Sequence, residues 1–283
     1  MLADVVERLA CPVCGETLAL NGEGKTLRCP AGHAFDVARQ GYANLLPGNA
    51  RPGTADTAEM VGARETFLRT GHFAPMAKAV AELITAALDA VPGGGCVLDA
   101  GAGTGYYLSA VLDQPGDAVG IALDLSKYAA RRAARAHPRI GAVVADLWRP
   151  LPVRTDAVDA VINVFAPRNA PEFHRVLRGG LLVTVTPSQR HLGPLVETLG
   201  LVTVDEQKNE RVDAALGAHF TLETRRTLEY EATLDHAQTE ALVGMGPSAH
   251  HVPADELRQR VARLPEPVTV PLSFVVSAFR PVP

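Results

Sequence analysis

Apolar residues between positions 95 and 190 come in short runs separated by segments with helical spacing. The runs typical of buried strands lie at 95–99, 119–124, 141–145, 157–164 and 180–186. Strands that alternate with helices indicate a parallel, doubly wound sheet, because each return to a parallel strand needs a crossover segment. The pattern therefore predicts an α/β fold with a Rossmann-like sheet.

The segments on either side of this sheet also have apolar residues at regular spacings, which predict their secondary structure. Residues 54–90 predict two helices broken at 70–72, the first opening with a capping box between Asp56 and Glu59. Beyond residue 187 we expect a strand at 219–231, helices at 237–245 and 254–264, and a last antiparallel edge strand at 268–279.

Asp99 closes the first predicted strand and is followed at once by Gly101, Gly103 and Gly105. Glycines let the backbone approach a ligand closely, and amides at the start of the following helix can donate to a polar or anionic group. The spacing D-x-G-x-G-x-G differs from the dinucleotide pattern G-x-G-x-x-G, which argues against NAD. Taken alone, the loop is equally consistent with a tight turn that binds no ligand.

Two more acidic residues follow later strands of the same sheet. Asp124 lies 25 residues after Asp99, where the acceptor for ribose hydroxyls belongs in a nucleotide-binding sheet. Asp146 and Leu147 come directly after the apolar segment 140–145. The acids and glycines are therefore expected at one edge of the sheet.

The N-terminal segment carries a second kind of chemistry. Cys11, Cys14, Cys29 and His33 have the spacing C-x2-C-x14-C-x3-H. Three thiolates and one imidazole are the ligands of a closed, four-coordinate structural zinc site, which leaves no open position for catalysis. Because a module of this size has little hydrophobic core of its own, zinc binding should supply most of its folding free energy.

A Pro/Gly-rich stretch at 47–53 predicts a linker and a domain boundary near residue 50. We therefore expect a zinc-binding recognition module at 1–50 and a second domain at 51–283, whose residues 54–90 form a helical connector.

Composition narrows the function classes only slightly. The chain has 283 residues, of which 47% are hydrophobic, and a net charge of -4. This charge neither predicts nor excludes a nucleic-acid partner, because binding needs only a local basic face. No run approaches the roughly 18 apolar residues of a membrane span, and the first residues lack a secretory signal pattern. We expect a cytoplasmic protein, and a reducing compartment favours metal binding over disulfides.

The ordered motifs resemble those of S-adenosylmethionine (SAM) dependent methyltransferases. Together with the zinc module, Tyr42, Asn44 and the segments 64–75, 157–167 and 186–192, they resemble the RlmA family of 23S rRNA (guanine-N1)-methyltransferases over nearly the full length. The segment 244–248 is similar to the tylosin-resistance branch, which modifies guanosine 748, with the guanosine 745 type as the alternative. The resemblance implies a Rossmann-like methyltransferase domain, 23S rRNA as partner and a homodimer.

The same resemblance implies the site residues. SAM would be held by ten residues: Asp99, Gly101, Gly103, Gly105, Tyr106, Asp124, Leu125, Asp146, Leu147 and His191. Asn163 would hydrogen-bond the edge of the guanine base and Phe165 would stack on it. Related chains often have tyrosine at this last position, so no role that needs a phenolic hydroxyl applies here. His72 and His191 are candidates for the general base, because histidine ordinarily titrates in the useful range, but the sequence does not identify the base.

Two other functions remain open from the sequence. A SAM-dependent methyltransferase of a small molecule leaves the zinc module unexplained. A non-catalytic, zinc-bearing rRNA-binding protein is opposed by the intact acids and glycines of the loop. For an rRNA substrate we expect Arg64, Arg168 and Arg190 to face phosphates across both domains.

Overall fold

The computed structural model describes residues 1–48, 55–201, 207–246 and 253–283. The helices are α1 (Leu2–Val5), α2 (Ala58–Arg69), α3 (Ala74–Leu88), α4 (Tyr106–Leu112), α5 (Lys127–Ala133), α6 (Ala170–Val176), α7 (Gly193–Leu199), α8 (Lys208–Leu216), α9 (His236–Gly244) and α10 (Ala254–Val261). The strands are β1 (Ala19–Leu20), β2 (Thr26–Arg28), β3 (Ala34–Asp36), β4 (Tyr42–Asn44), β5 (Cys96–Ala100), β6 (Val119–Asp124), β7 (Ile140–Val144), β8 (Val158–Val164), β9 (Leu177–Pro187), β10 (Phe220–Leu234) and β11 (Val268–Pro281).

Eight strands form one sheet in the order β10-β11-β9-β8-β5-β6-β7-β4. Strands β4 to β9 are parallel, and β11 runs antiparallel to both β9 and β10. The chain winds outward from β5 in one direction through β6 and β7, and then in the other through β8 and β9. The predicted doubly wound sheet is therefore confirmed, and its switch point lies beside the carboxyl end of β5.

The position of the last strand differs from the expectation. Strand β11 lies between β9 and β10, so β10 is the edge and β11 is an interior strand. The reason is visible in the side chains: most of β11 is buried, whereas β10 exposes polar and charged positions along much of its length. Charged strands tolerate the edge of a sheet better than apolar ones.

The N-terminal segment packs on the large sheet. Strands β1, β2 and β3 form a separate three-stranded ribbon, but β4 pairs with β7 and forms the opposite edge of the large sheet. Leu9 and Leu27 share a buried cluster with Val143 of β7 and with Val153, which lies between β7 and β8. The ribbon core is thus continuous with one face of the sheet. The linker expected at 47–53 falls mostly outside the described residues, and the boundary near residue 50 stays a prediction.

The two predicted connector helices are confirmed, with the break between Arg69 and Ala74. The N-cap differs from the expectation. The hydroxyl of Thr57 accepts a hydrogen bond from the amide of Met60 at 3.3 Å, because Asp56 is engaged instead in an ion pair with Arg64 at 2.8 Å. Among the described residues, no helix has both the length and the apolar character needed to cross a membrane.

Candidate functional site

Three sulfur atoms and one imidazole nitrogen converge in the ribbon. Sγ of Cys14 lies 3.7 Å from Sγ of Cys29, and Nδ1 of His33 lies 3.6 Å from Sγ of Cys11 and 3.3 Å from Sγ of Cys29. The four ligand atoms all lie within 4.8 Å of one another. A tetrahedral site with zinc–sulfur bonds of ~2.3 Å has sulfur–sulfur edges of ~3.8 Å, so this set fits a zinc ion.

Backbone turns hold the ligands in place. The amide of Gly15 donates to the carbonyl of Cys11 at 2.8 Å, and the amide of Gly32 donates to the carbonyl of Cys29 at 3.0 Å. Desolvation raises the pKa of Cys29, but hydrogen bonds with His33, and after them with Cys14 and Cys11, together outweigh it and lower that pKa to about 7. The thiolate, which is the form that binds metal, is therefore accessible near neutral pH.

The glycine loop after β5 has no room for side chains at its first position. Gly101 has a φ of +91°, and a Cβ there would lie 2.3 Å from Cβ of Ala166. At Gly103 a Cβ would lie 3.0 Å from the guanidinium of Arg64. The loop is thus confined between the segment that follows β8 and helix α2, which explains why glycine occupies both positions.

Asp124 ties the end of β6 to this loop. One carboxylate oxygen accepts the amide of Gly103 and the other accepts the amide of Ser126, each at 2.8 Å. Burial raises the pKa of Asp124, and these two hydrogen bonds partly oppose that shift. A carboxylate can accept more than two hydrogen bonds, so this geometry leaves acceptor capacity for hydroxyl groups of a ligand.

Asp99 is fully buried at the end of β5, and neither carboxyl oxygen has a hydrogen-bond partner among the described residues. Burial, and after it the charge of Asp124, raises the pKa of Asp99 to about 8. The backbone amide of Leu108 opposes this shift, although its geometry falls short of a hydrogen bond. A buried acid without a partner beside a glycine loop fits the cationic α-ammonium group of SAM.

Helix α2 covers the loop from the other side. The guanidinium of Arg64 donates to the carbonyl of Met245 at 2.9 Å and forms the ion pair with Asp56. Arg190 is likewise paired with Glu229 at 3.2 Å. Two of the three arginines expected to face phosphates therefore already have protein partners. Residues 247 and 248 of the branch motif at 244–248 lie outside the described residues.

The segment after β7 is held by side-chain hydrogen bonds. Asp146 accepts the amide of Trp148 at 2.9 Å, and the amide group of Asn169 donates to the carbonyl of Leu147 at 2.8 Å. Leu147 is buried and Trp148 is 70% exposed. Of the remaining cofactor candidates, Gly105 is the N-cap of α4, Tyr106 is its first residue, and Leu125 follows Asp124 directly.

The two residues expected to contact the base have different surroundings. The buried side-chain amide of Asn163 donates to the carbonyls of Ala100 and Pro167, each at 2.9 Å. It therefore ties the strand ends together, and only its oxygen has no partner among the described residues. Phe165 is 43% exposed, and its ring centroid lies 5.9 Å from that of Phe274. Its ring is thus available for stacking.

His191 lies in an aromatic cluster close to Phe165. Its ring centroid is 4.8 Å from that of Phe274, the ring that also flanks Phe165. The amide of Ser273 donates to its Nδ1 at 3.2 Å. The structure therefore groups Asp99, the glycines and Asp124 in one place, and Phe165 with His191 in a second. The ligands that these residues hold stay predictions.

Comparison with known proteins gives full-length matches. A family model described as "RlmA, N-terminal" matches residues 9–52, and one described as "Methyltransferase domain" matches residues 97–180. A Streptomyces fradiae protein named 23S rRNA (guanine(748)-N(1))-methyltransferase is 46% identical, and the alignment covers 100% of both chains. A Micromonospora griseorubida protein with the provisional name 23S rRNA (guanine-N1)-methyltransferase is 50% identical, also over 100% of both chains.

This chain belongs to the 23S rRNA (guanine-N1)-methyltransferase family. The resemblance seen in the sequence is thereby confirmed, as are the methyltransferase fold with its zinc ribbon and the two cofactors, SAM and a structural zinc ion. Among solved structures, a Bacillus halodurans protein provisionally named a methyltransferase matches with 17% identity and a TM-score of 0.48, covering 71% of this chain and 97% of that chain.

The sequence reasoning did not anticipate the surroundings of two side chains in this methyltransferase. Trp148 is the only tryptophan of the chain and stands exposed directly after the Asp146–Leu147 pair, a position that could have drawn attention to it. Arg168 was expected at a phosphate, but its Nε is buried without a partner among the described residues, and desolvation lowers its pKa. The sequence carries no signal for that burial.

Proposed function

We propose that this methyltransferase transfers a methyl group from SAM to N1 of a guanosine in a hairpin loop of 23S rRNA, at position 748 rather than 745. The observation that most strongly supports SAM binding is the buried carboxyl of Asp99 beside the glycine loop, which has no hydrogen-bond partner among the described residues. The assignment of the rRNA substrate is supported by the full-length similarity to the S. fradiae enzyme, whose name specifies guanine 748.

In this proposal each cofactor residue has one task. Asp99 pairs with the α-ammonium group, Gly101 and Gly103 let the backbone approach the methionine end, and Asp124 accepts the ribose hydroxyls. Asp146 and the buried Leu147 contact adenine. When bound, SAM supplies the methyl group as an electrophilic carbon on a sulfonium. Since transfer is an in-line displacement, most of the catalysis comes from holding donor and acceptor in contact.

The acceptor guanine lies, in the same proposal, against the segment that follows β8. The exposed ring of Phe165 stacks on the base. Guanine N1 carries a proton at neutral pH. In this proposal water takes up that proton, and a cation beside the neighbouring O6 favours its loss. Arg168 is the cation that we assign to this oxygen, because it follows Phe165 by three residues and its Nε lacks a partner within the described protein.

His191 is not the base in this arrangement. Its Nδ1 accepts the amide of Ser273. In a neutral imidazole the proton then resides on Nε2, so that nitrogen has no lone pair with which to take up a proton. The lone pair needed by a general base is already used.

The decisive test is the position of the methyl group. We expect rRNA incubated with the enzyme and SAM to yield N1-methylguanosine at one site, located by nuclease digestion and mass spectrometry. A methyl group on ribose, or on another ring nitrogen, contradicts the proposal. Incubation with labelled SAM and small-molecule extracts tests the alternative substrate class, and binding of rRNA with no transfer supports the non-catalytic alternative.

Three further statements belong to the same proposal: the enzyme is a homodimer, acts in the cytoplasm and confers resistance to tylosin-type macrolides. Light scattering coupled to size-exclusion chromatography measures the first and cell fractionation the second. Expression in a tylosin-sensitive bacterium should raise the inhibitory concentration of tylosin. An unchanged concentration, in cells whose rRNA is shown to be methylated, removes resistance from the proposal.

A further inference from the structure

Helix α5 presents an exposed row of basic side chains. Lys127, Arg131 and Arg135 recur every four residues and are all exposed. Residues at this spacing lie on one face of a helix. The helix ends at Ala133, but Ala134 keeps helical dihedral angles, so Arg135 continues the same row. The opposite side of α5 is buried through Ala129, Ala130 and Ala133.

These cations differ from many others in the protein because they lack acidic partners within the described part of the chain. In the described part of the chain, none of the three has a carboxylate within ion-pair distance, and Lys127 lies 5.2 Å from the ring centroid of Tyr128. The neighbouring Arg132 shows the contrast, because its Nε is 2.9 Å from a carboxylate oxygen of Glu65. The protein has 31 acidic and 27 basic residues, so a group of unpaired cations does not follow from composition.

The row leads from the cofactor edge of the sheet to the zinc ribbon. Helix α5 begins immediately after Ser126, whose amide is bound by Asp124. At its other end, a Cβ on Gly41 would lie 3.8 Å from Cβ of Ala134. Gly41 closes a turn with Ala38 through a hydrogen bond of 2.8 Å. Arg39 lies in this turn, is exposed, and has no acidic partner among the described residues.

We propose that Lys127, Arg131, Arg135 and Arg39, here called the α5 basic row, bind the phosphate backbone of the RNA substrate and align it between the zinc ribbon and the site of methyl transfer. The inference rests on the proposed function for the identity of the substrate. The residues of the α5 basic row take the place of Arg64 and Arg190 as the expected phosphate contacts, since those two arginines are ion-paired within the protein. Exposed cations without carboxylate partners can neutralise phosphates without breaking an ion pair in the protein.

The test compares two triple variants of equal charge in the full-length, zinc-loaded enzyme. The first is Lys127→Gln, Arg131→Gln and Arg135→Gln. The control, Lys78→Gln, Arg258→Gln and Arg280→Gln, removes one lysine and two exposed arginines elsewhere. Binding to a fluorescent hairpin RNA that contains the guanosine-748 loop is measured by anisotropy between about 50 and 300 mM salt.

The slope of log affinity against log salt should become shallower by about 2 in the first variant, since each phosphate contact on a single strand contributes about 0.7. Affinity at 0.15 M salt should fall roughly tenfold to a hundredfold, while SAM binding by calorimetry stays at the parent value. The control should keep the parent slope. Equal slopes in the two variants overturn the inference.

Two further results separate this inference from the proposed function. If the triple variant shows the expected change in salt slope but the parent never methylates guanine N1, the row binds RNA and the proposed function fails. If the parent methylates N1 and the row variant keeps its salt slope, the proposed function stands and the row is refuted. Should the triple variant lose SAM binding, the single change Arg131→Gln carries the test, with an expected slope change of about 0.7.

Discussion

Asp99 and Asp124 end neighbouring parallel strands, and the charge of Asp124 is, after burial, the second cause of the raised pKa of Asp99. The two acids have different environments. Asp124 accepts two backbone amides, whereas both oxygens of Asp99 lack a partner among the described residues. Two hydrogen bonds thus favour the carboxylate form of Asp124 and partly offset its burial, whereas a bound cation would be needed to favour that form of Asp99.

The first prediction concerns the pH dependence of SAM affinity. Asp99 has a pKa of about 8 in the free protein, so a cationic α-ammonium group must bind with loss of a proton. Affinity should therefore rise with pH from 6 to 7.5, by at most about tenfold per pH unit. Calorimetry in buffers of different ionisation enthalpy should show proton release. Asp99→Asn should bind weakly at every pH, and a pH-independent parent affinity contradicts the assignment.

The second prediction concerns the stability of the free protein. The pKa of Asp99 is raised from 3.8 to about 8, so the folded state holds its proton more tightly than the unfolded state. Stability is then lost as pH rises from 3.8 through 8, by at most about 1.4 kcal/mol per pH unit. Asp99→Asn removes this loss. Its melting temperature should exceed that of the parent at pH 8, by a margin that shrinks towards pH 5, and a margin that grows on acidification rejects this account.

The third prediction concerns Asp124. Replacing it with Ala removes an acceptor from a desolvated site and leaves the amides of Gly103 and Ser126 without their partner. We expect SAM affinity to fall by about 1.5–3 kcal/mol, roughly tenfold to a hundredfold. The matched control is Asp117→Ala, at an exposed position just before β6 begins. This variant should bind SAM like the parent. Equal affinities of the two variants would show that the pocket lies elsewhere.

The fourth prediction concerns the zinc ion. Elemental analysis should find one zinc per chain in the parent and markedly less in Cys14→Ala, while Val13→Ala, at an exposed neighbouring position, should retain it. Loss of metal should unfold the ribbon and leave the sheet folded. Deleting residues 1–50 is a less clean experiment, because it also removes β4 from the large sheet. A zinc-free parent purified without chelator would exclude the site.

The fifth prediction concerns Arg168. Arg168→Gln should lower kcat by about tenfold to a hundredfold, because the cation that stabilises the charge developing on guanine is lost. The pH–rate profile should shift to higher pH, since N1 must lose its proton without that cation. Arg168→Lys should restore part of the rate, and SAM affinity should be unchanged in both. A fall in rRNA affinity alone, with kcat and the profile unchanged, would indicate a phosphate contact instead.

The sequence by itself determined the parallel sheet, the glycine loop, the acids at its edge and the Cys3His ligand set. These features depend on short-range spacing: buried runs define strands, glycines are required where the loop meets Ala166, and closely spaced cysteines share one turn. Family membership could also be inferred at this stage, because the motifs occur in a fixed order along one chain.

Only the tertiary structure decided which groups are already occupied and how the edges of the sheet are built. It showed that β11 lies between β9 and β10 and that β4 pairs with β7. It also showed that the side-chain amide of Asn163 donates to two backbone carbonyls and that Arg64 forms an ion pair with Asp56. It also showed that the basic side chains on α5 have no acidic partners among the residues that it describes. These outcomes depend on contacts between residues far apart in sequence, and no local pattern encodes which distant carboxylate or carbonyl a side chain will meet.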